Sequence, residues 1–297
     1  MEIGIIGKGF VGNAISVGFE SQGHKTICHD VRLETKINDV LHTPITYICV
    51  PTPSADNGDC DTTIVYSVLR ELYNLKYKGK VCVKSTVKPG SIGKWRDEFY
   101  HNGKGLDISF VPEFLREKCA VDDFLHNNNL LAIGTEDKET EELVRECHGT
   151  LPTHTVVMKP IEAELMKYFS NSYKAMRVTF ANAFYRLCKE VDANYDVVKD
   201  AFLFHGVGDG HYLRVNKQFG GFGGTCLPKD TKGLANLVDD LGLDIEIFRT
   251  IVEDNERFTS ENQEERFEIW YLLIVLWWFI WIIMEEDVKA IVQVILF

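Results

Sequence analysis

The stretch Gly7-Lys8-Gly9-Phe10-Val11-Gly12 limits what this chain can fold into more than any other. It has the spacing G-x-G-x-x-G. An apolar run, Glu2–Ile6, precedes it, and an Ala/Ile/Val/Phe stretch with helical character follows to about Ser21. A second apolar strand, Lys25–His29, ends at Asp30, eighteen residues past Gly12. Glycines at these places permit a tight turn and let a pyrophosphate approach the backbone. The following helix presents its N-terminus to that charge, and an acid closing the second strand accepts the ribose hydroxyls. Gly7, Gly9, Phe10, Val11, Gly12 and Asp30 are therefore candidate cofactor contacts. The alternative is a glycine-rich strand-to-helix turn with no ligand. Arg32 leaves room for a 2′-phosphate, but Asp30 would repel one, so NAD is expected rather than NADP.

Strand-like runs continue at Thr46–Val50, Lys80–Ser85, Ile108–Val111, Leu130–Gly134 and Thr155–Val157, with helical stretches between several of them. This alternation predicts an α/β fold with a Rossmann-like, doubly wound parallel sheet over residues 1–158. An all-helical region is expected over 159–258 and an atypical apolar tail over 259–297. Ligands of such sheets bind beyond the carboxyl ends of the strands. Three polar loops fall there: Val50-Pro51-Thr52-Pro53, Lys84-Ser85-Thr86 and Val111–Glu117.

The formal net charge of −12 argues against nucleic acid and anionic membrane surfaces as partners. The eight cysteines form no CxxC pair. The chain opens as a strand rather than as a leader peptide. Both features predict free thiols in a reducing cytoplasm. His24, Cys28 and His29 lie along one strand, where alternation separates neighbours, so no metal site is expected.

A second glycine-rich stretch, Phe219–Thr225, leads into Cys226-Leu227-Pro228-Lys229-Asp230. Pro228 suits a first helical turn, Leu234, Leu237, Val238 and Leu241 recur at helical spacing, and Gly242 is a natural stop. Cys226 should sit at a helix N-terminus, where free N–H groups and the dipole favour a thiolate, with Lys229 adding positive charge. Asp230 follows one turn later on the same face. The plain alternative for Cys226 is a small buried hydrophobe in a tight turn. Pro160 opens a long helix to about Val191. On it, Lys167 and Asn171 share a face, and Ala163, Met166, Phe169 and Ala175 suggest little exposed surface around them. A partly buried Lys beside an Asn can stabilise an oxyanion or hydroxyl. Glu136–Glu146 reads as a solvated helical face.

After Arg257 the composition changes. Thr259–Glu265 is polar and acidic, and Ile269–Met284 is an unbroken apolar run of sixteen residues. That is short of the ~20 a spanning helix needs, so membrane contact through 269–284 is not favoured; a tail anchor, a buried oligomer helix and sequence read out of frame near a truncated end are the open readings.

Taken in order, the N-terminal fingerprint, Lys84-Ser85-Thr86, Pro112–Glu117, Lys167 with Asn171, and Gly221–Asp230 resemble the UDP-glucose/GDP-mannose dehydrogenase family. The resemblance spans about residues 1–258 and lacks that family's C-terminal domain. It implies NAD-dependent, four-electron oxidation of a nucleotide sugar at C6, UDP-glucose before GDP-mannose, and a homodimer or higher homo-oligomer. Cys226 would form the thiohemiacetal and thioester, with Lys167 and Asn171 holding the oxyanion. Asp230, Glu117 and Thr86 would position a water and move its proton. Glu113, Phe114, Leu115, Arg116, Glu117, Lys167, Asn171 and Gly223 match substrate-binding positions. Arg214 stands in for an arginine missing from His205–Gly210. Thr52, Thr86, Glu117 and Lys229 match cofactor-contacting positions. A binding protein without turnover and a β-hydroxyacid dehydrogenase, which needs no thiol, remain the alternatives.

Overall fold

The computed structural model describes residues 1–283 apart from 102–103, 207–209, 211 and 217. The chain divides into two compact units. One comprises Met1–Tyr173 with Thr225–Phe248, the other Lys174–Gly224 with Arg249–Phe297.

The first unit is built on β1 (Glu2–Ile6), β2 (Lys25–His29), β3 (Ile45–Ile48) and β4 (Lys80–Val83), followed by a small hairpin, β5 (Tyr100–His101) and β6 (Lys104–Gly105). Then come β7 (Asp107–Phe110), β8 (Leu130–Gly134) and β9 (His154–Met158). Seven of these strands form one sheet in the order β2-β1-β3-β4-β7-β8-β9. Its helices are α1 (Phe10–Ser21), α2 (Thr63–Asn74), α3 (Ser91–Phe99), α4 (Ala120–His126) and α5 (Lys138–His148). The start of α6 (Pro160–Glu190) and α8 (Leu227–Asp240) also belong to this unit.

Strand alternation sends side chains to two separate cores. Ile3, Ile5, Ile45 and Tyr47 pack with Ala14, Ile15 and Phe19 of α1, Phe124 of α4 and Val144 of α5. Ile6, Ile48, Val81 and Val83 face the other way and pack with Val65, Leu69 and Leu72 of α2 and Ile92, Trp95 and Phe99 of α3. Burial on both faces explains why these strands read as near-continuous apolar runs.

Two features differ from expectation. The sheet is not wholly parallel: β7 and β8 meet antiparallel at Phe110 and Gly134, while β8 and β9 pair parallel. A parallel crossover usually needs a helix long enough to return along the sheet. The β7–β8 link carries only the seven-residue α4, which packs on α1. The compact units also interleave along the chain rather than following one another in order. The first part of α6 and Thr225–Phe248 cluster with the sheet. A single helix, α9 (Ile247–Ile283), runs through residue 258 without a break.

In the second unit, α7 (Tyr195–Phe204) starts at an N-cap Asn194 whose side chain accepts from Asp196 N–H. Phe222 N–H donates to Asn255 Oδ1, and Asn255 Nδ2 donates back to the Phe222 carbonyl. Among the described residues, no helix is long and apolar enough to cross a membrane. The tail from 266 is helical to Ile283, and its remainder, 284–297, lies outside the described residues.

Candidate functional site

The site assembles within the first unit, where α6, α8 and the loops after β3, β4 and β7 converge. Cys226 is the N-cap of α8, is partly buried, and makes no side-chain capping bond. Helix geometry then sets Asp230 one turn on, its N–H donating to the Cys226 carbonyl at 2.9 Å. Asp230 is buried, and both of its carboxylate oxygens are engaged. Asn171 of α6 donates its Nδ2 to one at 2.5 Å, and Lys229 donates its ammonium to the other at 2.7 Å. Burial works to lower the Lys229 pKa, but the Asp230 charge outweighs it and holds the ammonium above its ordinary value.

Lys229 also reaches Cys60 Sγ at 3.6 Å, and Cys60 in turn donates to the Thr86 carbonyl at 3.2 Å. Burial raises the Cys60 pKa, keeping it a neutral thiol able to act as that donor. This chain of contacts brings Thr86 and the loop of Cys60 to α8, and the nearby Thr52 hydroxyl works against burial on the Cys60 pKa. The same loop is latched further along: Asn236 donates to the Asn57 carbonyl at 2.8 Å and to Asp59 at 3.0 Å.

One turn before Asn171, Lys167 is 3% exposed. Its ammonium donates to the Glu113 carbonyl at 2.5 Å and to the Glu113 carboxylate at 2.9 Å, and lies 5.4 Å from the centre of the Phe114 ring. Burial pushes the Glu113 pKa up, but the Lys167 charge overcomes this, with Leu115 N–H also donating to the carboxylate, and the net direction is down. An ammonium has three N–H groups and an amide nitrogen two. The bonds above leave one donor on Lys167 and one on Asn171 uncommitted by them. Lys84 is buried nearby and donates to the Val111 carbonyl at 3.1 Å, with burial lowering its pKa.

Other expected residues lie at the edge of this cluster. Arg116 and Glu117 are exposed. Arg116 makes a two-pronged ion pair with Asp123, at 2.9 and 2.6 Å. Glu117 accepts from Thr225 Oγ1 at 3.3 Å, and the same hydroxyl lies 3.6 Å from Cys226 Sγ. Phe114 and Leu115 are half-buried. Gly223 and the exposed Arg214 fall in the second unit, and 207–209 of the preceding loop lie outside the described residues. The expectation of little exposed surface around Lys167 holds for Ala163 and Ala175, both 0% exposed, but fails for Phe169, at 71%. Sequence reasoning missed Cys60. Its signal was a cysteine in the loop after β3, a strand end already marked as ligand-facing. It also missed the pairing of Glu113 with Lys167.

The cofactor turn has the shape a dinucleotide requires. Gly7 adopts φ +95°, and a Cβ there would lie 2.6 Å from the Cys49 carbonyl oxygen. A Cβ on Gly12 would strike the Gly7 carbonyl. Gly9 differs, because a Cβ there would meet nothing within 4 Å. It caps α1 with no side-chain bond, and the first turn of α1 has no acidic residue. Open space in front of an uncapped helix N-terminus suits a pyrophosphate. Phe10 is exposed and Val11 half-buried in that first turn. Asp30 closes β2, and its pKa is held well below the carboxylate range by the Arg32 guanidinium, against the effect of burial.

Comparison with known proteins agrees with this architecture. Residues 31–151 match the UDP-glucose/GDP-mannose dehydrogenase family, NAD binding domain, and residues 161–257 match its central domain. A UDP-glucose 6-dehydrogenase of Rickettsia typhi is 31% identical over 86% of this chain and 67% of its own length. The chain thus spans about two thirds of that relative. The solved structure of a UDP-glucose dehydrogenase from Pyrobaculum islandicum superposes with a TM-score of 0.78 at 28% identity, covering 86% of this chain and 68% of that one. A GDP-mannose dehydrogenase of Pseudomonas aeruginosa, solved as a ternary complex, gives 0.61 at 28% identity, covering 87% and 69%. With a glycine turn fit for NAD, a buried Lys–Asn–Asp cluster beside Cys226, and these matches, the chain belongs to the UDP-glucose/GDP-mannose dehydrogenase family.

Proposed function

We propose that this chain oxidises the C6 hydroxyl of a nucleotide sugar, UDP-glucose before GDP-mannose, to the carboxylate. The observation that carries this reading is the Asn171–Asp230 bond. It ties the uncommitted donors of α6 to the helix turn that begins at Cys226.

NAD, when bound at Gly7–Gly12 and Asp30, supplies the hydride acceptor. Each residue then has a task. The C6 alcohol must lose a proton as it loses a hydride, giving an aldehyde, and the remaining N–H groups of Lys167 and Asn171 suit the negative oxygen. A single donor of this kind is worth about 2.7–4 kcal/mol of barrier. Cys226 Sγ adds to the aldehyde carbon, giving a thiohemiacetal. Loss of a second hydride, which needs a second NAD exchanged for the first NADH, and of a proton would leave a thioester. Water attacks its carbonyl, the C–S bond breaks, and the carboxylate leaves with the thiol restored. Asp230 sits one turn from the sulfur, and Thr86 is linked to it through Cys60 and Lys229. With Glu117, near Thr225, these groups support a role in handling that water. Arg116, Leu115 and Phe114 are the proposed substrate contacts, with Thr52 and Lys229 on the cofactor side.

Self-association is part of the proposal. Ile161, Leu165, Phe169, Tyr173, Phe180 and Phe184 recur along α6 at intervals of four and seven and are all exposed. Such a stripe on one helix suits a second copy of the chain.

The test is stoichiometric. Incubation with NAD and limiting UDP-glucose or GDP-mannose should yield two NADH per uronate. One NADH per sugar, with activity kept in Cys226→Ala, would point to a simple alcohol dehydrogenase. Dinucleotide binding with no NADH would point to a protein that only binds.

A further inference from the structure

The carboxylate of Asp30 is fully subscribed. Oδ1 accepts from the Arg32 backbone N–H at 2.9 Å and from Arg32 Nε at 2.9 Å. Oδ2 accepts from the Lys8 backbone N–H at 2.7 Å and from Arg32 Nη2 at 2.9 Å. An ionised carboxylate offers about four lone-pair positions, so none remains for a ribose diol. Two of the four donors are backbone groups held by the turns around them. The other two sit on one guanidinium, whose side chain is 69% exposed against 7% for Asp30. The part free to move is therefore Arg32.

We propose that Arg32 sets the dinucleotide selectivity of this chain: it covers Asp30, must swing away for a ribose diol to bind, and blunts the rejection of a 2′-phosphate. The inference rests on Asp30 being the ribose acceptor. Binding NAD exchanges a two-pronged ion pair, charged on both sides, for two bonds from uncharged hydroxyl donors, which weakens NAD. A 2′-phosphate would meet a carboxylate already paired with a guanidinium, and the planar fork of Arg32 matches phosphate geometry. Space is open on this side, since Val31 is 93% exposed and Leu33 is also exposed. Lys8 is not a competing cation. Its ammonium is turned to Ser16 Oγ at 2.6 Å and Cys28 Sγ at 3.3 Å.

The test is direct binding of NADH and NADPH to the whole chain without sugar, by calorimetry or by energy transfer from protein to nicotinamide fluorescence. Wild type, Arg32→Ser and Asp30→Ser are compared. Arg32→Ser should tighten NADH and weaken NADPH, so that the preference for NADH rises at least about tenfold, the size of one lost charge-assisted bond. Asp30→Ser should weaken NADH and bring the two dinucleotides closer. If Asp30→Ser weakens NADH but Arg32→Ser leaves the preference unchanged or weakens both alike, Arg32 does not set selectivity. If Asp30→Ser leaves NADH binding unchanged, Asp30 is not the ribose acceptor, and the inference falls with that reading.

Discussion

Asn171 and Asp230, fifty-nine residues apart in the chain, share a buried hydrogen bond of 2.5 Å between amide and carboxylate. The bond joins α6 to α8 within one turn of Cys226, so the register of the two helices and the position of the thiol are set together. Removing it should therefore act on both folding and chemistry. Asn171→Ala leaves one buried Asp230 oxygen short of a donor, costing about 1–3 kcal/mol of stability. It also removes a candidate oxyanion donor, so kcat should fall about 10²–10³-fold while KM for the sugar moves less. Denaturant titration and steady-state kinetics on the same preparation check the two parts.

The pair of Lys167 and Glu113 is buried, with side chains 4% and 8% exposed. Breaking such a pair from one side costs about 3–5 kcal/mol, because the other charge stays buried. Glu113→Gln should show this at pH 7. The folded-state pKa of Glu113 lies below its ordinary value. Its contribution is thus present above the unfolded pKa and is lost as pH falls through the folded one. Stability curves of wild type and Glu113→Gln should begin to approach each other below about pH 4.3, the unfolded value, and meet only below the folded-state pKa.

The three glycines of the cofactor turn should separate folding from binding. Gly9→Ala meets no protein atom. It should keep the wild-type melting temperature and lose NADH affinity by tenfold or more, about 1.4 kcal/mol or more. Gly7→Ala and Gly12→Ala would press a methyl group onto backbone. Both should lower the melting temperature even without cofactor. Thermal melts with and without NADH distinguish the two outcomes.

His148 is fully buried among Phe19, Tyr47 and Phe124, and burial pushes its pKa down to about 3. It is neutral in the folded chain and charged in the unfolded chain below about pH 6.5. Stability from this group is present above pH 6.5 and is lost as pH falls toward 3, by about 1.4 kcal/mol per unit between those limits. His148→Phe should flatten that slope in urea titrations run from pH 7 to pH 4.

Much of this was legible in the sequence. Gly7–Gly12 and Asp30 specify a local βαβ unit, and apolar period sets its strands and helices with few long-range decisions. Pro228 and Gly242 mark the ends of α8 in the same local way, which placed Cys226 at its start. What the sequence hid depends on distant partners. The reversal at β8 follows from where α4 packs, and the Glu113–Lys167 pair spans fifty-four residues. Phe169 reads as a core residue by type, yet it faces outward. The composition change after Arg257 suggested a boundary, but helix formation needs only tolerable propensity and continues across it.

The central claim is that Cys226, and no other thiol, captures the half-oxidised sugar. A slowed variant such as Asp230→Asn, quenched in acid during turnover and digested, allows adducts to be located by mass spectrometry. A sugar-nucleotide adduct is expected on the Cys226 peptide, and it should disappear in the Cys226→Ala background. Uronate formed with no adduct there, or an adduct on Cys60 instead, would contradict the claim.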